Sequence, residues 1–146
     1  MLLQLKIENF ATISKLEVEF TRGFSILTGE TGAGKSIMID AILLVLGHRG
    51  DPGMIRTGKE LAEVEGIFSV PVNPVNGEQF NIRKELELTG INLDDELIVR
   101  CIISRKGRQK RYINGVSVTA DFLKSIGRKL INIHGQHDNQ SLLQVS

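Results

Sequence analysis

An α/β fold is the class this sequence predicts, with a mixed sheet around one buried helix and an antiparallel β layer beside it. Three observations predict it. Apolar and polar residues alternate at period two before and after a single long apolar run, Ser36 to Leu46, whose length suits a helix. That run begins at a glycine-rich turn preceded by a short apolar stretch, Phe24, Ile26 and Leu27. Later, Asn114-Gly115 stands between strand-like residues, the dipeptide that accepts both positive φ angles of a type I′ turn.

The elements follow in chain order. Leu3, Leu5 and Ile7 alternate with Gln4, Lys6 and Glu8, and Leu16, Val18 and Phe20 alternate with Glu17 and Glu19, so two half-buried strands open the chain. Residues 9 to 14 connect them, and Phe24 to Thr28 reads as a buried strand. The helix from Ser36 to Leu46 is apolar over most of its circumference, and Gly47 ends it at the C′ position. His48 to Lys59, with Gly50, Pro52, Gly53 and Gly58, reads as an irregular loop. Leu61 to Val70 is a strand closed by Pro71 and Pro74; about Gly77 to Gly90 is weakly helical; Leu97 to Ser104 is a strand; Gln109 to Val118 is a hairpin about Asn114-Gly115. Thr119 and Asp121 are expected to cap a short helix through Ile126, stopped by Gly127, and Leu130, Ile131 and Ile133 to form a last buried strand.

The turn Gly29-Glu30-Thr31-Gly32-Ala33-Gly34-Lys35-Ser36 fits G-x-x-x-x-G-K-[ST], the phosphate-cradling P-loop, in the strand-to-helix context the motif requires. Each residue type has a physical job. Glycines at 29, 32 and 34 let the backbone approach a polyphosphate with consecutive N–H groups turned toward its oxygens. The helix that starts here, with Ile37 in its first turns, adds unsatisfied N–H groups and the positive end of its dipole. Lys35 would reach the β- and γ-phosphates as a mobile point charge, and the Ser36 hydroxyl would be a ligand of Mg²⁺.

Composition sets bounds. At 146 residues, 41% apolar and 24% charged, the chain is long enough for one domain with its own core. No signal-peptide pattern and no membrane-length apolar run appear, so a cytoplasmic location is expected. Cys101 is the single cysteine, which excludes an internal disulfide and a cysteine zinc site; its apolar neighbours mark it as a small core residue. The net charge of +1 implies no bulk attraction to nucleic acid. Its distribution is uneven: acids crowd between Glu60 and Glu96, and none occurs between Glu96 and Asp121, where Arg100, Arg105, Lys106, Arg108, Lys110 and Arg111 fall. This basic hairpin suits DNA phosphates, or is a solvated basic edge, and Tyr112 is the one aromatic residue near it for stacking.

Beyond the P-loop, Leu5 to Phe10 followed by a second strand resembles the start of the ABC-type ATPase heads of SMC-like and RecF-like proteins. Ile39-Asp40-Ala41-Ile42 after the P-loop and Arg56-Thr57-Gly58 resemble elements of the same heads. Ile133-His134-Gly135-Gln136-His137-Asp138-Asn139-Gln140-Ser141-Leu142-Leu143, and the wording Gly-Glu-Thr-Gly-Ala-Gly-Lys-Ser, are similar to the RecN-like branch of this group. Gln136 lies 136 − 36 = 100 residues after Ser36, a wide gap that suits an SMC-like head. The resemblance covers essentially the whole chain. It implies the N-terminal lobe (residues 1–146) of an SMC-related ATPase head that works in DNA double-strand break repair, with ATP and Mg²⁺ as cofactors. Lys35, Gln136 and Arg56 would then be catalytic. Gln136 would contact Mg²⁺ and the attacking water, with Gln140 as the alternative, and Arg56 would act on the γ-phosphate, with Arg49 as the alternative. DNA, a C-terminal lobe and a second head would be the partners.

The same comparison exposes absences. No apolar strand ends in Asp-Glu, since Asp94-Asp95-Glu96 precedes its strand, and no Leu-Ser-Gly-Gly-like segment occurs. In RecN-like proteins those parts lie beyond a coiled coil, so the chain alone is expected to hydrolyse no ATP. His134, His137 and Asp138 lack a further fixed ligand and make a poor zinc site. A self-contained kinase or GTPase would need its own strand-end Asp and, for guanine, an Asn-Lys-x-Asp segment, neither of which occurs. A non-catalytic DNA-binding module, resting on the basic hairpin, is the other alternative, as is a RecF-like head.

Overall fold

The computed structural model describes residues 2–20, 32–70 and 77–135. Six strands, β1 (Leu2–Phe10), β2 (Ile13–Glu19), β3 (Leu61–Ser69), β4 (Glu96–Ser104), β5 (Gln109–Ile113) and β6 (Val116–Ser117), form one sheet in the order β2-β1-β3-β4-β5-β6. Every pairing in it is antiparallel. Three α-helices, α1 (Gly32–Val45), α2 (Gly77–Leu88) and α3 (Ala120–Gly135), and one 3-10 turn, Pro52–Met54, complete the described chain. The expected strand Phe24 to Thr28, and with it the mixed part of the sheet, lies outside the described residues.

The alternation read from the sequence sets the faces. Leu5 and Ile7 of β1, Ala62, Val64 and Phe68 of β3, and Leu97, Val99, Cys101 and Ile103 of β4 point into one core with Met38, Ala41, Ile42, Leu44 and Val45 of α1. One register detail differs from the expected pattern. Between Leu2 and Gln4 the pairing with β3 slips by one residue, from Phe68 to Ile67. This bulge turns Leu2 into the core in place of the expected Leu3, which is half-buried.

Gly47 closes α1 as expected. With φ at +101°, its N–H donates to the Leu44 carbonyl and the His48 N–H to the Leu43 carbonyl, both at 3.1 Å, a Schellman arrangement. The type I′ turn is also present: Asn114 and Gly115 have φ of 48° and 84°, and Ile113 pairs with Val116. The Asn114 side chain fastens the turn to β4 by accepting from the Ile98 N–H at 2.7 Å.

The last stretch overturns the sequence expectation. Gly127 does not stop a helix, and Leu130 to Ile133 are not a strand; α3 runs unbroken from Ala120 to Gly135, with Thr119 Oγ1 accepting from the Phe122 N–H at 3.1 Å as N-cap. Leu123, Ile126 and Leu130 recur at helical spacing on its buried face. Gly127 is there because the end of α1 passes directly over it: a Cβ at 127 would sit 2.1 Å from the Leu46 carbonyl oxygen. From the other side, a Cβ on Gly47 would meet the Lys124 backbone at 2.5 Å.

Candidate nucleotide site

The described part of the P-loop is the first turn of α1. Gly32, Ala33, Gly34 and Lys35 have helical backbone, Ser36 is exposed and Ile37 half-buried; Gly29, Glu30 and Thr31 lie outside the described residues. No acidic residue occurs in the first turn, so nothing there competes with an anion for the N-terminal N–H groups and the positive dipole end. An exposed serine hydroxyl one residue after the lysine completes a donor set that suits a phosphate and a hard cation. The residues present therefore fit a Mg²⁺-bound polyphosphate. At its other end α1 is anchored by its apolar circumference, so burial of Ile42, Leu44 and Val45 fixes where that first turn points.

Arg56 is half-buried in the loop between α1 and β3, and its backbone is clamped from two sides. On one side stands the β1–β2 turn. Asn9 and Ala11 both take φ of 54°, an uncommon angle for residues with a Cβ. This bent backbone lets the Asn9 carbonyl accept from the Arg56 N–H at 2.8 Å and the Ala11 N–H donate to the Met54 carbonyl at 2.5 Å, with Phe10 and Ile55 bridged between them. On the other side stands the β4–β5 hairpin. Arg105 Nη2 donates to the Arg56 carbonyl at 3.1 Å, and its Nε to the Lys59 carbonyl at 2.8 Å. Gln109 holds the start of the loop by both of its amide atoms, accepting from the Gly50 N–H at 3.1 Å and donating to the Gly50 carbonyl at 2.8 Å. Arg49 is exposed beside Gly50. Among the described residues no side-chain hydrogen bond joins Arg56 to α1. Gln136 and Gln140 follow the last residue of α3 and lie outside the described residues, as do His137 and Asp138.

Sequence reasoning missed the clamp. In sequence Arg105 belongs to the basic run and Gln109 opens the hairpin, and neither residue carries a local signal that it binds a loop about fifty residues earlier. Asn9 did carry one, since asparagine tolerates the left-handed region at turns. Arg100 leaves the basic group: its guanidinium donates to Glu63 at 2.9 Å, which raises its pKa, and lies over the Tyr112 ring at 5.9 Å from the centroid. Among the described residues no cluster of His, Cys, Asp and Glu could hold a metal ion.

Cys101 is buried as expected, its Sγ 3.4 Å from the Leu44 carbonyl. Burial pushes its thiol from an ordinary 9.0 up to about 12, against a smaller opposing pull from Arg111. The folded state thus holds the proton more tightly than the unfolded chain. This contribution to stability is complete below pH 9.0 and is lost as pH rises toward about 12. Urea unfolding of wild type and Cys101→Ala near pH 8 and about pH 10.5 checks it: wild type should lose more stability between the two than the variant, in which other alkaline groups titrate alike. Equal losses would mean the thiol is not desolvated.

A family model described as an AAA domain matches residues 4–145. The DNA repair protein RecN of Bacillus subtilis (strain 168) is 48% identical over 149 residues, an alignment covering 99% of this chain and 24% of that protein. RecN proteins of other bacteria match at 38–46% identity. The chain spans about a quarter of the length of these relatives. Among solved structures, a chain from work on ATP-driven dimerization and DNA-stimulated activation of SMC ATPases superposes with a TM-score of 0.65 at 24% identity, covering 89% of this chain and 79% of that one. The recombination mediator RecF bound to ATP superposes with a TM-score of 0.55 at 16% identity, covering 81% of this chain and 27% of that one. At such identities the likeness establishes the fold: that of SMC heads and RecF.

Proposed function

Because the chain belongs to the AAA domain family and has RecN DNA repair proteins as its homologues, we propose that it is the N-terminal, ATP-binding lobe of a RecN-like, SMC-related ATPase head that acts in double-strand break repair. One observation carries the reading: Gly29 to Ser36 matches the P-loop at every fixed position, and its described half is a helix start free of acid with an exposed serine. In this reading the N–H groups of residues 32 to 36 and the Lys35 ammonium would bind the phosphates, and Ser36 would hold Mg²⁺, which would supply positive charge against the charge that gathers on the transferred phosphoryl group. Arg56, or alternatively Arg49, supplies a further positive charge in cis, and the clamp on Arg56 would keep that charge in register at little entropic cost. Gln136, or alternatively Gln140, would contact Mg²⁺ and the attacking water. The carboxylate that activates this water and the signature motif come from a C-terminal lobe and a second head, so that ATP closes two heads around DNA. Work at the bacterial nucleoid, in the cytoplasm, is part of the same proposal; among the described residues no helix is long and apolar enough to cross a membrane.

The division of labour is testable. The 146-residue chain on its own should bind MgATP weakly and turn it over negligibly, because the water-orienting carboxylate is not in it. Steady hydrolysis by this purified chain that disappears in Lys35→Ala would overturn the split-site reading.

A further inference from the structure

We propose that the tip of the β4–β5 hairpin, with Lys59 beside it, is a contact surface for the sugar-phosphate backbone of nucleic acid. This rests on the reading of the chain as part of a DNA repair ATPase, and it goes further by naming the surface and the kind of contact.

The tip is a rigid basic turn. The Ser104 N–H donates to the Arg108 carbonyl at 2.8 Å, the Gly107 N–H to the Ser104 carbonyl at 2.9 Å, and the Lys106 N–H to Ser104 Oγ at 3.2 Å. Lys59, Arg105, Lys106 and Arg108 are exposed on and beside it. The ion pairs Lys6–Glu65, Arg100–Glu63 and Lys129–Glu85 all lie away from the tip, and among the described residues no carboxylate pairs with a tip cation. Glu60 follows Lys59 directly, and its carbonyl accepts from the Arg105 N–H at 3.0 Å. Two of the Arg105 guanidinium N–H groups donate to carbonyl groups, which fixes the side chain without neutralising its charge.

The part of the sheet carried by β1, β2 and β3 is different. Lys6 and Lys15 lie in a shallow groove with Glu8, Glu17, Glu63 and Glu65, where the acids outnumber them. A polyanion would be repelled there and drawn to the tip. Tyr112 is engaged by Arg100 rather than presented for stacking. A basic turn with no free aromatic reads phosphates, not bases, so the contact is expected to be independent of sequence. The same Arg105 guanidinium joins this surface to the loop that carries Arg56, so the two move as one piece.

The test is the salt dependence of binding to a labelled mixed-sequence DNA duplex, measured with the full-length protein. Arg105 is left intact because it braces a loop. Lys106→Ala/Arg108→Ala removes two phosphate contacts and should flatten the slope of log K against log salt by about 1.8, so that between 50 and 200 mM salt the variant loses about tenfold less affinity than wild type. Lys6→Ala/Lys15→Ala, with equal loss of charge, should leave the slope unchanged. An unaltered slope in the tip variant, or equal flattening in both, overturns the surface while leaving the DNA reading intact. Absence of DNA binding by the wild-type protein overturns that reading itself. Unfolding midpoints of both variants establish that each is folded.

Discussion

Gly127→Ala is expected to destabilise the fold by about 3 kcal/mol, although alanine is the better helix former by roughly 1 kcal/mol at an interior position. The sign is decided by packing. The added methyl would lie 2.1 Å from the Leu46 carbonyl oxygen and 2.8 Å from its carbon, both backbone atoms that no rotamer change can move aside. Relief requires α3 to back away from the end of α1, which opens the contacts of Leu123, Ile126 and Leu130 with the core. Urea denaturation of the two proteins measures the effect as a lower midpoint at similar m-value. A stabilised variant would show that the crossing is looser than described, and that helix propensity governs this position.

Lys35→Ala is expected to remove function while sparing the fold. In the full-length protein the loss of a charged donor to the phosphates should weaken nucleotide binding by about 1.5–3 kcal/mol, or roughly 10- to 150-fold, judged from hydrogen bonds to charged groups. Hydrolysis should fall by at least about a hundredfold, as when one preorganised stabiliser of transition-state charge is deleted. Lys35→Arg should not restore it, because a planar fork cannot replace a compact ammonium that follows a moving phosphate. Titration with a fluorescent ATP analogue and steady-state phosphate release read the two effects separately. Wild-type turnover by the alanine variant would mean that Gly29 to Ser36 is not the catalytic cradle.

Much of the architecture was legible because its signals are local. Alternation at period two marked β1, β3 and β4, since each strand has one face in the core and one in water. Asn114-Gly115 announced its turn because few residues accept two positive φ angles in succession. The apolar neighbours of Cys101 are enough to mark it as core, where it lies. The errors share a different cause. Leu2 displaced Leu3 from the core through a bulge that depends on how β1 meets β3. Gly127 looked like a stop because glycine breaks an isolated helix; in the fold it marks a close approach by a segment far earlier in the chain.

The functional residues divide along the same line. The P-loop motif, the helix that begins in it and the family likeness follow from runs of consecutive residues, whose chemistry needs no partner to be recognised. Tertiary structure alone decided three other matters: that α3 continues to Gly135, that Arg100 is neutralised by Glu63 while Lys106 and Arg108 are not, and that the arginine loop is held by Asn9, Arg105 and Gln109. Each of these depends on which distant groups meet. Such meetings are settled by desolvation and backbone hydrogen bonding in the assembled sheet, and no single window of sequence contains both partners.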